Sequence, residues 1–169
     1  MSIPTKDGFN DMISDNKGII YKISNAYCKD QEERKDLVQE IIIHLWKSFD
    51  SYDSTYKAST WIYRIALNVA ISYYRKERTR KKKTSSFAPE LICEQDLEEC
   101  DGREQKLIIL HQFVNTLDEL NRALIILYLE DKPYREIADI LGISETNVGT
   151  KIGRIKEKLR KHFQTIKHD

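Results

Sequence analysis

Apolar residues recur at helical spacing along almost the whole chain, and this periodicity limits the available folds more than any other feature. In residues 134–159, Ile137, Ala138, Leu141 and Ile143 are followed by Val148, Ile152, Ile155 and Leu159. Only 6 glycines and 3 prolines interrupt 169 residues, and no alternating run bounded by turn residues offers a strand. The expected fold class is therefore all-α. A chain of this length holds one domain or two small ones.

The spacing predicts helices over about 8–28, 32–49 and 59–80, then over about 104–116 and 119–130, before the helical pair of the C-terminal stretch. Between the two groups lies KKKTSSFAPELICEQDLEECDG, which mixes a lysine run, Ser-Ser, a proline and many acids without periodicity. It reads as a flexible linker. The expected organisation is an N-terminal helical domain over 1–83, an acidic linker over 84–103, and a C-terminal domain over 104–169.

Net charge is only +1, but it is sharply partitioned. Residues 61–83 carry eight Lys and Arg against one acid, residues 84–104 seven acids against one Arg, and residues 144–161 six basic residues against two acids. Two basic helices flanking an acidic connector are the electrostatic footprint of a nucleic-acid binder.

Other classes are disfavoured. No segment approaches the roughly 20 apolar residues that span a bilayer, and the N-terminus lacks a signal-like apolar run. A cytoplasmic protein without membrane insertion is expected. Cys28, Cys93 and Cys100 are odd in number and form no C-x-x-C pair, so neither a disulfide framework nor a metal site is expected. Tyr73, Tyr74 and the scattered His44, His111, His162 and His168 come without a metal-binding motif, a glycine loop or a carboxylate cluster. No catalytic residue and no cofactor is therefore assigned.

The pair of helices in 134–159 has the form of a helix-turn-helix. Gly142 suits the left-handed end of the first helix, and Ser144 can cap the second. At 100° per residue, Val148, Ile152, Ile155 and Leu159 share one face. Thr146, Asn147, Thr150 and Arg154 lie on or near the other, with Lys151 at the flank. Small polar side chains can reach base edges in a major groove, and Lys or Arg can neutralise phosphate.

In the helix near 32–49, Leu37, Val38, Ile41 and Leu45 face one way. Asp36, Gln39, Glu40, Ile43, Trp46 and Lys47 face the other. Ile43 and Trp46 among acids read as an interface anchor with a charged rim; packing of Trp46 against a neighbouring helix is the alternative. In the next helix Ile62, Ile65, Ala66, Val69, Ala70 and Tyr73 form the apolar stripe, so Trp61, Arg64, Asn68 and Arg75 should point away. Those types suit phosphate, a base edge and stacking on an unpaired base. A core position for Trp61 and an internal ion pair for Arg64 remain the alternatives.

The segment LDELNRALIILYLEDKPYREIADILGISETNVGTKIGRIKEKLRKHF resembles region four of bacterial sigma factors. DLVQEIIIHLWKSF and STWIYRIALNVAISYYRKER resemble region two. Their order, with a short connector and no third domain between them, resembles the extracytoplasmic-function (ECF) group of the sigma-70 family. The resemblance implies a promoter-specific initiation factor that binds core RNA polymerase through Asp36, Gln39, Glu40, Ile43 and Trp46. It implies that KSFDSYDSTYKAS and the following helix hold the non-template strand of the minus-ten element and capture a flipped base, with Asn68 the first choice for base contact. It also implies that the helix-turn-helix reads the minus-thirty-five duplex, and that an anti-sigma factor is a further partner. Gly149 and Gly153 depart from the family's pattern, where arginine or a larger residue is frequent, and each costs about 1 kcal/mol relative to alanine inside a helix. Either the helix backbone closely approaches DNA or another helix there, or the promoter contacts pass to Asn147, Thr150, Lys151 and Arg154.

Overall fold

A computed structural model describes residues 5–83 and 102–168, without the side chains of 167 and 168. The described residues are helices and short connections, with no strand among them. The expected linker over 84–103 lies outside the described residues except for its last two positions, as do Cys93 and Cys100. The chain divides into two compact units, Met1–Arg80 and Lys81–Asp169.

Unit 1 is built on α1 (Lys6–Tyr27), α2 (Gln31–Ser48) and α3 (Ala58–Lys83), with a single 3-10 turn, Phe49–Ser51, after α2. The Asp30 carboxylate accepts the amides of Glu32 and Glu33 at 3.0 and 2.9 Å, and so caps α2. Acids in that first turn complement the helix dipole. Arg34 donates to the carbonyls of Cys28 and Lys29, closing the end of α1 against the start of α2. Ile20, Ile23, Leu37, Ile41, Leu45, Ile62 and Leu67 form the fully buried core. Each such side chain contributes about 1.5–3 kcal/mol relative to exposure.

Two expectations for α3 need correction. The buried arc includes Tyr63 and Leu67, whereas Ile65 and Tyr73 are only half-buried. α3 has two helices to pack against, so its apolar surface is wider than one stripe. The helix also runs through the lysines at 81–83, which had been read as the start of the linker. Lysine is a good helix former, and an Arg80–Glu77 pair at 2.7 Å supports the turn before it.

Unit 2 comprises α4 (Gly102–Thr116), α5 (Glu119–Leu129), α6 (Tyr134–Leu141) and α7 (Glu145–His168). α5 buries six consecutive residues, Arg122 to Leu127, and is the central helix of the unit. Asp118 caps it through the amide of Asn121 at 2.9 Å. The buried Arg122 sends its guanidinium to the carbonyls of Asn115 and Leu117, both at 3.1 Å, and so satisfies the C-terminal end of α4. Periodicity gave no hint of this arginine, which sits at an apolar position of its helix. α7 packs against the other three helices through Val148, Ile152 and Ile155.

Candidate nucleic-acid and protein interfaces

The helix-turn-helix of unit 2 forms as its residues dictate. Gly142 ends α6 at φ +67°, a left-handed conformation that strains residues with a Cβ. The amides of Gly142 and Ile143 both donate to the Ala138 carbonyl, at 2.9 and 3.2 Å. Ser144 then accepts the Asn147 amide at 3.1 Å and opens α7. Behind the turn, Ile137, Ala138 and Ile140 are buried with Val148 and Ile152, so the angle between the helices is fixed by apolar contact.

That packing leaves Thr146, Asn147, Thr150 and Arg154 exposed on the outer face of α7, with Lys151 half-buried at its edge. The Thr150 hydroxyl donates to the Thr146 carbonyl at 3.0 Å, which fixes its rotamer while leaving its lone pairs outward. Leu159 is half-buried and lines a shallow groove with Lys156, Arg160, Phe163 and Gln164. Lys156 holds its ammonium 4.3 Å from the centre of the Tyr128 ring, a cation–π contact that spacing did not suggest. A Cβ on Gly149 would lie 3.5 Å from the Tyr134 ring, an ordinary contact, and one on Gly153 would meet nothing within 4 Å. Neither glycine is demanded by helix packing within the chain.

In unit 1 the five ledge residues come together. Asp36, Gln39, Glu40 and Ile43 line a shallow concavity on the outside of α2, with His44 and Lys47 at its border. Ile43 is 50 % exposed and Trp46 48 % exposed, so two large apolar side chains stand in solvent among carboxylates. Trp46 is not wholly free: its indole packs edge-on against Phe9 of α1, with ring centroids 5.0 Å apart. Both readings of Trp46 therefore hold, one for each side of the ring.

On α3, Arg64, Asn68 and Arg75 are exposed and lie along one side of the helix. Trp61 shares their register but not their exposure. It is half-buried, with its ring 4.9 Å from Tyr52 and 6.4 Å from Phe49, so the expectation that it points away is corrected. An indole at the first turn of α3 reaches back over the incoming loop, a contact that helical periodicity cannot represent.

The loop is itself ordered by local chemistry. Asp53 accepts the Thr55 amide at 2.9 Å, and hydrogen bonds from the Thr55 backbone and side chain hold its carboxyl below the usual range. The Tyr56 amide donates to the Asp53 carbonyl at 3.1 Å, and the Tyr52 hydroxyl donates to the Tyr56 carbonyl at 2.8 Å. These bonds set Tyr56 on a defined turn with its side chain 63 % exposed. Tyr56 was quoted in the loop but not singled out from the sequence; an aromatic in a short Asp-Ser-Thr turn is the signal that could have marked it.

The remaining chemistry-bearing residues take ordinary places. His44 and His111 are exposed, His162 stacks near Phe113 at 5.6 Å, and Cys28 is buried. No helix among the described residues is long and apolar enough to cross a membrane.

Comparison with known proteins places both units. Residues 12–80 match the family model of sigma-70 region 2, and residues 107–159 match that of sigma-70 region 4. The chain is 26% identical to the ECF RNA polymerase sigma factor SigW of Bacillus subtilis, covering 95% of this chain and 91% of that protein. It is 29% identical to the RNA polymerase sigma factor SigV of the same organism, over 93% and 90% of the two chains. In fold it is similar to the sigma factor RpoE of Bartonella quintana, solved with the anti-sigma factor NepR, at a TM-score of 0.70 and 18% identity over 95% of this chain and 98% of that one. It is similar also to CnrH, solved with the cytosolic domain of CnrY, at a TM-score of 0.68 and 18% identity over 95% and 90%. With region 2 in one compact unit, region 4 in the other, and relatives matched over nearly their full length, the chain belongs to the extracytoplasmic-function group of the sigma-70 family.

Proposed function

We propose a division of labour for the two units of this promoter-directing subunit of RNA polymerase. Unit 1, extending over 1–83, docks on the core enzyme through Asp36, Gln39, Glu40, Ile43 and Trp46. It holds the opened minus-ten element with Arg64, Asn68, Arg75 and the loop before α3. Unit 2, over 104–169, reads the minus-thirty-five duplex with Thr146, Asn147, Thr150, Lys151 and Arg154, and the acidic segment 84–103 tethers the two. Trp61, assigned to DNA from its register, serves the same site from beneath the loop.

The observation that carries this reading is the exposure of Ile43 and Trp46 among acids, in the same unit as a basic, asparagine-bearing helix. A free-standing duplex-binding regulator would have no task for that ledge. Opening DNA without ATP is energetically reasonable, because extruding a base costs a few kcal/mol and stacking it on an aromatic returns about 1–3. Tyr56 is placed to supply such a stack.

The chain performs no covalent chemistry of its own in this scheme. Tyr73, half-buried on α3, has its hydroxyl pushed up to about 12, chiefly by burial, which suits a packing residue and not a nucleophile at neutral pH. The site of action is the cytoplasm, where the transcription machinery works. The solved structures of similar fold hold anti-sigma partners, and an anti-sigma factor is the natural regulator of this chain too.

Transcription in vitro with core polymerase and genomic DNA, with start sites mapped, tests the proposal. Factor-dependent starts are expected, along with promoter binding that requires core polymerase. Tight promoter binding by the chain alone, with no factor-dependent starts, would establish the regulator instead.

A further inference from the structure

A continuous row of aromatic rings runs through unit 1. Trp46 meets Phe9 at 5.0 Å between centroids, Phe9 meets Phe49 at 5.1 Å, Phe49 lies 6.4 Å from Trp61, and Trp61 lies 4.9 Å from Tyr52. All four separations fall within the roughly 4.5–7 Å range of favourable ring pairs. The first two contacts are edge-on, with interplanar angles of 73° and 69°. Phe9 and Phe49 are buried, while the rings at the two ends reach the surface.

The ends of the row are the two places where unit 1 meets other molecules. One is Trp46 on the outer face of α2. The other is Tyr52, whose hydroxyl holds the Tyr56 carbonyl and so shapes the loop before α3. An aliphatic core would bury the same area, but edge-on rings restrict one another's rotation. In a close-packed interior, a ring reoriented at one end forces its neighbours to follow. Covering the exposed half of Trp46 thus favours one arrangement of Phe9 and Phe49, and through Trp61 one placement of Tyr52.

We propose that this row positions loop 52–57 and couples it to the α2 ledge, so that polymerase seated on Trp46 and unpaired DNA seated on the loop favour each other. The proposal rests on the assignment of ledge and loop made above. Phe9, Phe49 and Trp61 act as positioning residues, and none of them needs to touch either partner. Reciprocity follows from linkage: whatever factor docking contributes to loop engagement, loop engagement returns to docking.

Phe49→Leu tests it, because this change removes the ring between Phe9 and Trp61 and leaves an apolar side chain in place. Tyr52→Phe is the second variant; it keeps every ring and removes only the bond to the Tyr56 carbonyl. Each is assembled as full chain with core polymerase, and holoenzyme affinity and permanganate-detected promoter opening are measured at saturating core. Phe49→Leu is expected to assemble within about twofold of the unaltered chain yet open DNA about 5- to 50-fold less, the usual span of coupling between sites. Tyr52→Phe should show the same split to a smaller degree. A Trp46→Leu, Phe49→Leu double variant should open no worse than Phe49→Leu alone. Additive losses in the double variant, or unaltered opening in Tyr52→Phe, would overturn the coupling. If the unaltered chain directs initiation while these variants open normally, only the coupling fails. If it directs none, the assignment of function fails first.

Discussion

α3 and α7 are both long helices that offer basic, amide-bearing faces to DNA, but they build those faces differently. α7 carries its surface alone. Its cap, its turn and its buried stripe all lie within residues 142–155, and the exposed Thr146, Asn147, Thr150 and Arg154 follow from which positions are buried. α3 shares its surface with a preceding loop and with rings from α1, the 3-10 turn and the loop itself, so Trp61 supports where its register says it should project. A surface borne by one helix is set by local sequence, whereas a surface assembled from several elements is set by contacts between residues far apart in the chain. The first should tolerate change elsewhere in its unit provided the stripe is intact. The second should be sensitive to substitutions well removed from DNA.

The difference can be broken or sharpened by substitution. The largest effect is expected from Ile152→Ala, which empties a fully buried position behind the recognition face and should destabilise unit 2 by about 2–5 kcal/mol. Both tryptophans, Trp46 and Trp61, lie in unit 1. Tryptophan fluorescence should therefore melt as before while helical ellipticity acquires an earlier transition; a common shift of both probes would show that the units do not fold separately.

Next in size, Arg154→Ala should weaken promoter binding by the holoenzyme roughly ten- to a hundredfold, as loss of a base-edge contact does. Competition with promoters altered base by base in the minus-thirty-five element locates the loss. Uniform weakening across all of them would make Arg154 a phosphate contact instead.

Smaller and opposite effects are expected at two glycines. Gly142→Ala must adopt φ near +67° and should cost about 1–2 kcal/mol. Gly153→Ala, open to solvent in mid-helix, should stabilise unit 2 by about 1 kcal/mol. If Gly153→Ala also impairs duplex binding, the helix backbone approaches DNA there; unaltered binding leaves the contacts with the four exposed side chains and Lys151.

The smallest effect concerns pH. Tyr73 has a folded pKa of about 12, above the model value of 10.0, so its protonated form is favoured in the fold. Its contribution is fully present below the unfolded pKa and is lost as pH rises through the folded one. Unit 1 should lose stability between about pH 10 and pH 12, and Tyr73→Phe should lose less, as read by fluorescence-monitored melting.

The all-α class, the seven helices among the described residues and nearly all of the α7 face were legible because they rest on period and local capping. Gly142 and Ser144 named their own roles. What escaped has one physical cause, the dependence of a side chain on distant partners. Arg122 looked misplaced on an apolar helix because its acceptors, the carbonyls of Asn115 and Leu117, belong to the end of another helix. Tyr63 and Leu67 were missed because α3 packs against more than one neighbour. Trp46 was legible as an exposed anchor but not as a partner of Phe9, thirty-seven positions away.

The most direct test of the account is the affinity of core polymerase for the chain carrying Trp46→Ala and Asp36→Ala together, with folding verified by ellipticity and by the remaining Trp61 emission. The account predicts loss of holoenzyme formation, by about a hundredfold or more as expected when an interface anchor and its rim charge are removed. Binding undiminished by the two changes would contradict it, since no other described surface of unit 1 sets exposed Ile and Trp side chains among carboxylates.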